Sequence, residues 1–150
     1  MSTSYQQIIY HIVFCTKKRQ KTLSLEHSHE LYNYIWGIVK NKKAKLYRIN
    51  GMEEHLHLLT NLPSSMSLSA FVRDIKSFSS AWLNQNPNFP KFKGWSANYA
   101  AFTYAYRDRR MIANYIKKQR EHHKKQRLEH EVKQIFLEQG MVLDERFFLS

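Results

Sequence analysis

The sequence predicts an α+β domain: a four-stranded antiparallel sheet, two helices on one of its faces, and an added helix near the C-terminal end. Three observations carry this. Short runs rich in β-branched and aromatic residues recur along the chain. Between them lie longer segments with apolar residues at helical spacing. The order in which they come is β-α-β-β-α-β and then helix, which is the ferredoxin-like plan.

The first strand is expected over 5–16, "YQQIIYHIVFCT". The first helix is expected over 24–43, where Leu31, Tyr34, Ile35 and Ile38 share a face and Ser24 is positioned to cap the start. "AKLYRIN" and "EHLHLLTNL" read as two strands joined by a short turn at Gly51, and Pro63 closes that unit. A second helix over 67–86 would bury Leu68, Phe71, Val72, Ile75, Trp82 and Leu83. The fourth strand is expected over 95–107, "WSANYAAFTYAYR". Asp108 then stands as an N-cap for a helix over 109–127, and a short amphipathic helix, "EHEVKQIFLEQ", precedes Gly140. In this plan the first and third strands are central neighbours, and the C-terminal helix is the natural cover for the sheet's other face.

Composition narrows the function. The chain has 150 residues, enough for one domain over 1–150, with a helical extension over about 108–150. A hydrophobic content of 43% excludes a disordered chain. No apolar run approaches a membrane span, and the single cysteine, Cys15, lies in a strand-like run, so a cytoplasmic protein with a packed thiol is expected. Lys and Arg number 24 against 12 Asp and Glu, a net charge of +12. The excess clusters at 17–21, 40–45, 107–110 and 117–127 without a matching apolar face, which points to nucleic acid rather than a membrane surface. Lys17, Lys18, Arg19, Lys76, Arg107, Arg109, Arg110, Lys117 and Lys118 are the candidate phosphate contacts.

The chemistry-bearing motif is "EEHLHLL". In a strand, residues two apart share a face, so His55 and His57 point together, about 7 Å apart at Cα. Two imidazoles so placed can converge on one cation; structural histidines are the alternative. "HSH" at 27–29 has the same spacing in a helix-like context and receives no role, nor do His122 and His123. By strand alternation Glu54 should point away from the pair. On the later helix Tyr115 and Gln119 are one turn apart on one face, a phenol above an amide.

Together the opening "YHIVFCTKKRQ", the "EEHLHLL" strand, the "DIKSFSSAWL" helix and the "YIKKQREHH" helix resemble the single-tyrosine HUH transposases of the insertion-sequence 200/605 group, including their repeat-associated relatives. Many members carry Asp where this chain has Glu54. The resemblance implies that His55, His57 and Gln119 hold one divalent cation, Mg²⁺ or Mn²⁺. It implies that Tyr115 attacks a phosphate of hairpin-bearing single-stranded DNA, giving a 5′-phosphotyrosine and a free 3′-hydroxyl. Members commonly work as homodimers, with the tyrosine helix of one protomer completing the partner's site, and other relatives are monomers, so the resemblance implies a homodimer with a monomer as the alternative. The rival readings are a non-catalytic single-stranded nucleic-acid-binding module on the same fold, a phosphohydrolase that uses water in place of Tyr115, and a domesticated nuclease.

Overall fold

The computed structural model describes residues 4–121 and 128–148. Its main elements are β1 (Ile9–Cys15), α1 (Ser28–Asn41), β2 (Leu46–Gly51), β3 (His55–Asn61), α2 (Leu68–Gln85), β4 (Ala100–Tyr104), α3 (Arg109–Lys117) and α4 (Leu128–Glu138). The strands form one antiparallel sheet in the order β2-β3-β1-β4, so β1 and β3 are central, as the ferredoxin-like plan requires.

The sheet is covered on both faces, which is why β1 and β3 are buried along almost their whole length. Ile12, Phe14, Leu56 and Leu58 face α1 and α2 and pack with Leu31, Ile35, Phe71, Val72 and Ile75. The opposite face is closed by the C-terminal helices: Ile9 and Leu59 meet Ile112 and Ile116, while Val13, Cys15 and Phe102 meet Leu128, Val132, Ile135 and Phe136. The β1–β3 register sets His57 opposite Val13 and His55 opposite Cys15, on the face under α3 and α4. Cys15 is buried and free, and burial pushes its thiol up to about 12, so it is a packing group that stays protonated.

Several boundaries differ from expectation for local reasons. β1 begins at Ile9, because residues 5–8 are exposed and pair with no strand. The first helix is not capped by Ser24. The chain turns first, with Ser28 Oγ donating to the Leu25 carbonyl at 2.9 Å, and His27 occupies the cap position without a side-chain cap bond. β4 is only Ala100–Tyr104; Trp95 makes one isolated bridge to Thr16 before the strand begins. Asp108 does precede α3, but its side chain makes no cap bond. The helix expected over 109–127 is interrupted by a turn at Lys118, resumes through residues 119–121, and its remainder, with His122 and His123, lies outside the described residues.

Gly51 is required where it stands. A Cβ there would sit 2.2 Å from the His55 carbonyl oxygen, so only glycine lets β2 approach the start of β3. The histidine strand is therefore fixed at its first residue.

Candidate active site

Three segments converge on the histidine face. His55 and His57 come from β3, with ring centroids 5.0 Å apart, and both are fully buried. Tyr115 and Gln119 come from α3 and its continuation. The Asn50 amide pins that helix end to β2 by donating to the carbonyls of Ile116 and Lys117, each at 3.1 Å. Arg120 adds a bond to Ser28 Oγ at 2.8 Å. As a result Gln119 Nε2 lies 3.0 Å from His55 Nε2, and the Tyr115 ring stands edge-on to His57 at 6.1 Å.

The third segment is α4, and the sequence reading did not assign it a site residue. Glu131 is buried, with Oε2 accepting from Gln119 Nε2 at 2.8 Å and Oε1 accepting a short hydrogen bond from the Tyr115 hydroxyl. Its Oε1 also lies 3.5 Å from His57 Nε2. His55, His57 and Glu131 each offer a ligand atom, all within 4.8 Å of one another, so this trio could hold a metal ion. Glu131 was detectable in principle. It falls in the apolar stripe of Leu128, Val132 and Ile135, where a carboxylate is out of place unless it has polar partners.

The donor set fits a divalent cation. Metal-bound imidazoles typically have their second nitrogen held by an outer partner. Here His55 Nδ1 lies 2.9 Å from Glu54 Oε1, and His57 Nδ1 lies 2.7 Å from His11 Nε2. Both Nε2 atoms are thereby turned toward Glu131 and Gln119. Gln119 Oε1 is a buried oxygen with no hydrogen-bond partner among the described residues. Gln119 thus remains beside the histidines, as the sequence suggested, and Glu131 joins them.

Two expectations need correction or addition. Glu54 does not point away from the pair. It lies in the turn before β3, outside the strand, so alternation does not apply, and its buried carboxylate orients His55. His11 was not singled out. It lies on the same face as His57 because of the β1–β3 register, a long-range pairing that the local sequence does not reveal.

The electrostatics follow from burial. The Tyr115 phenol is raised far above its ordinary value, first by burial and then by the adjacent Glu131 carboxylate, so it is held protonated as a donor to Glu131. His11, packed against the rings of His57, Phe102, Tyr104 and Tyr115, is lowered by burial to about 3. Between roughly pH 6.5 and 3 the unfolded chain binds a proton at His11 that the folded chain refuses. Stability is therefore expected to fall as the pH drops through this window, His11 contributing up to about 1.4 kcal/mol per pH unit. Denaturant melts of the wild type and of His11→Phe test this; the variant should show a shallower acid slope, and equal slopes would contradict it.

The candidate phosphate contacts divide. Lys17, Lys18, Arg107, Arg110, Lys117 and Lys118 are exposed. Lys18 and Arg19 adopt left-handed backbone, with φ of 55° and 52°, and Arg19 forms an ion pair with Glu129 that ties this bend to α4. Arg109 stacks over the Tyr106 ring at 3.9 Å. Lys76 has a different occupation from the one expected. It lies over Phe14 on the α2 side of the sheet and donates to the Ser96 and Asn98 carbonyls at 2.8 and 2.9 Å, and burial lowers it to about 8.

The chain is similar to several known transposases. The transposase for insertion sequence element IS200 of Salmonella typhimurium is 28% identical over 120 residues, covering 77% of this chain and 78% of that protein. The ISDra2 transposase TnpA of Deinococcus radiodurans is 24% identical over 120 residues, covering 75% of this chain and 84% of the relative. Among solved structures, a putative transposase from Deinococcus radiodurans superposes with a TM-score of 0.57 at 23% identity, over 79% of this chain and 96% of that one. A REP-associated tyrosine transposase bound to a REP hairpin gives a TM-score of 0.56 at 17% identity, over 79% of this chain and 72% of that one. These two establish the shared fold. The family model "Transposase IS200 like" matches residues 4–119, from the approach to β1 through Gln119, and the chain therefore belongs to the IS200-like transposase family.

Proposed function

We propose that this transposase cleaves and rejoins single-stranded DNA at hairpin-bearing ends, with Tyr115 as the nucleophile. The observation that carries this reading is the Tyr115 hydroxyl donating to Glu131 beside the paired histidines. Nucleophile, proton acceptor and cation ligands then address one phosphate. A hydrolase using water would have no need of a phenol there, and a binding module would have no need of the buried donor cluster.

The step balances simply. The Tyr115 oxygen bonds to phosphorus, and its proton passes to the Glu131 carboxylate. The bond from phosphorus to the 3′-oxygen breaks, and that oxygen takes up the proton that Glu131 releases, leaving as a 3′-hydroxyl. The DNA on the other side stays attached as a 5′-phosphotyrosine. Because the phosphodiester is retained, a second 3′-hydroxyl can reverse the step and join strands.

His55, His57 and Glu131, with Gln119 alongside, would hold a divalent cation, which when bound supplies Lewis-acid polarisation of phosphate oxygens. The imidazole content suits Mn²⁺ better than the harder Mg²⁺. Glu54 and His11 orient the histidine rings. Exposed Lys17, Lys18, Arg107, Arg110, Lys117 and Lys118 would follow the phosphate backbone. One chain contributes Tyr115, Gln119 and both histidines, which supports attack within that chain; a homodimer that exchanged the tyrosine helix would assemble the same groups.

A hairpin-bearing single strand labelled at each end tests the reading. With Mn²⁺, the segment 3′ of the cut should become covalently attached to protein, and the other segment should end in a 3′-hydroxyl that a polymerase extends. Binding should weaken steeply with salt and exceed binding to plain duplex of equal length. A released 5′-phosphate without any adduct would instead indicate attack by water.

A further inference from the structure

The two histidines are held differently at their outer nitrogens. His55 Nδ1 faces the Glu54 carboxylate, 2.9 Å away. An ionised carboxylate only accepts, so the His55 proton sits on Nδ1 and its Nε2 lone pair points inward. His57 Nδ1 faces another imidazole, His11 Nε2, at 2.7 Å. An imidazole nitrogen can donate or accept, so this bond has two possible senses.

In the first sense His11 donates. The His57 proton must then sit on Nε2, directed at Glu131 Oε1 3.5 Å away, and His57 presents no lone pair to a cation. In the second sense His57 donates from Nδ1, its Nε2 lone pair faces inward, and it can act as a ligand. His11 then carries its own proton on Nδ1, which is buried and has no hydrogen-bond partner among the described residues. Passing from the first to the second moves one proton from His11 Nε2 to His57 Nδ1. The proton leaving His57 Nε2 is matched by one arriving at His11 Nδ1, so the pair keeps its two protons. The first sense sets the His57 Nε2–H toward the Glu131 carboxylate and leaves His11 Nδ1 as an acceptor; the second turns a lone pair toward that carboxylate and buries an N–H at His11 Nδ1 without a partner among the described residues, a costlier arrangement.

We propose that His11 is a positioning residue for the cation site: by bonding to His57 Nδ1 it fixes the ring and, on changing from donor to acceptor, makes His57 a ligand. The geometry is specific to this role. The two rings meet edge to edge, centroids 5.0 Å apart and planes within 25° of each other, as an in-plane N–H···N bond requires, and His11 is 1% exposed, locked by Phe102, Tyr104 and Tyr115. No water or phosphate is needed for it. The inference rests on the reading of His55, His57 and Glu131 as a cation site and adds the device that readies one ligand.

The test uses the full chain without DNA and titrates Mn²⁺ alone, followed by electron paramagnetic resonance. His11→Phe keeps the ring volume but loses the bond, and it should weaken Mn²⁺ about tenfold, in the range seen when outer partners of metal ligands are removed. His11→Gln, which can present its amide oxygen to His57 Nδ1, should recover most of that loss. Two-bond ¹H–¹⁵N spectra of the wild type, which need no variant, should show His11 moving its proton from Nε2 to Nδ1 when Mg²⁺ is added. A merely structural His11 would not change tautomer. The inference is overturned if His11→Phe binds Mn²⁺ like the wild type, or if the His11 tautomer is unaltered by Mg²⁺. His57→Ala separates the two levels: loss of Mn²⁺ there with normal binding in His11→Phe would sink this inference alone. Normal binding in His57→Ala would sink the cation site as well.

Discussion

Tyr115→Phe should abolish DNA cleavage while leaving DNA binding nearly unchanged. The substitution removes one oxygen. The ring keeps its edge contacts with His11 and His57 and its place beside Ile112 and Ile116. Glu131 loses the phenol but retains its bond from Gln119, so the loss of stability should be near that of one hydrogen bond to a charged group, about 1.5–3 kcal/mol. Activity is another matter. Removing the nucleophile of an enzyme that works through a covalent intermediate lowers the rate by about 10⁴-fold or more. Denaturing gels should show no protein–DNA band at any Mn²⁺ concentration, and filter binding should show an unchanged affinity for the hairpin strand. A persistent band would move the nucleophile to another tyrosine, with Tyr104 and Tyr106 next in line.

The second large effect is expected from the histidine pair. Replacing both His55 and His57 with Ala removes two of the three groups that could hold the cation, and Mn²⁺ affinity should fall by at least about 100-fold, with cleavage lost in parallel. Both side chains are fully buried, so the double variant also opens a cavity and loses stability. His55→Gln and His57→Gln, closer in volume, separate the two causes: their melting temperatures should stay nearer the wild type while Mn²⁺ binding is still lost. The Glu54 and His11 partners make the two sites unequal. His55 is set by a carboxylate that fixes its tautomer, and His57 by a neutral ring that does not. Cleavage restored by excess Mn²⁺ in either Gln variant would show that the remaining ligands suffice.

The parts of this site that were legible in the sequence are those that local periodicity controls. Alternation put His55 and His57 on one face, and the helical repeat stacked Tyr115 over Gln119; neither needs knowledge of a distant segment. The order of elements likewise implied which strands are central, and the register of β1 against β3 bears this out. What stayed hidden depends on contacts made across the chain. His11 joins the site only because β1 pairs with β3 in one register and not the next, a shift that would turn it to the α1 and α2 face. Glu131 reaches the histidines from a helix 74 positions beyond His57, and only its misfit among Leu128, Val132 and Ile135 hinted at a buried role. Glu54 misled because the strand begins one residue later than its apolar run suggests, at His55. Lys76 donates to the Ser96 and Asn98 carbonyls, a pairing across the chain that its local sequence does not reveal.

The chemistry of the adduct bears most directly on the account. Unaltered protein, incubated with Mn²⁺ and a hairpin-bearing single strand, should be trapped as a covalent complex, digested, and its modified peptide sequenced by mass spectrometry. A single modified residue, Tyr115, should carry the 5′-phosphate of the cleaved strand. A phosphate on Tyr104 or Tyr106, or cleavage with no modified tyrosine at all, would contradict it.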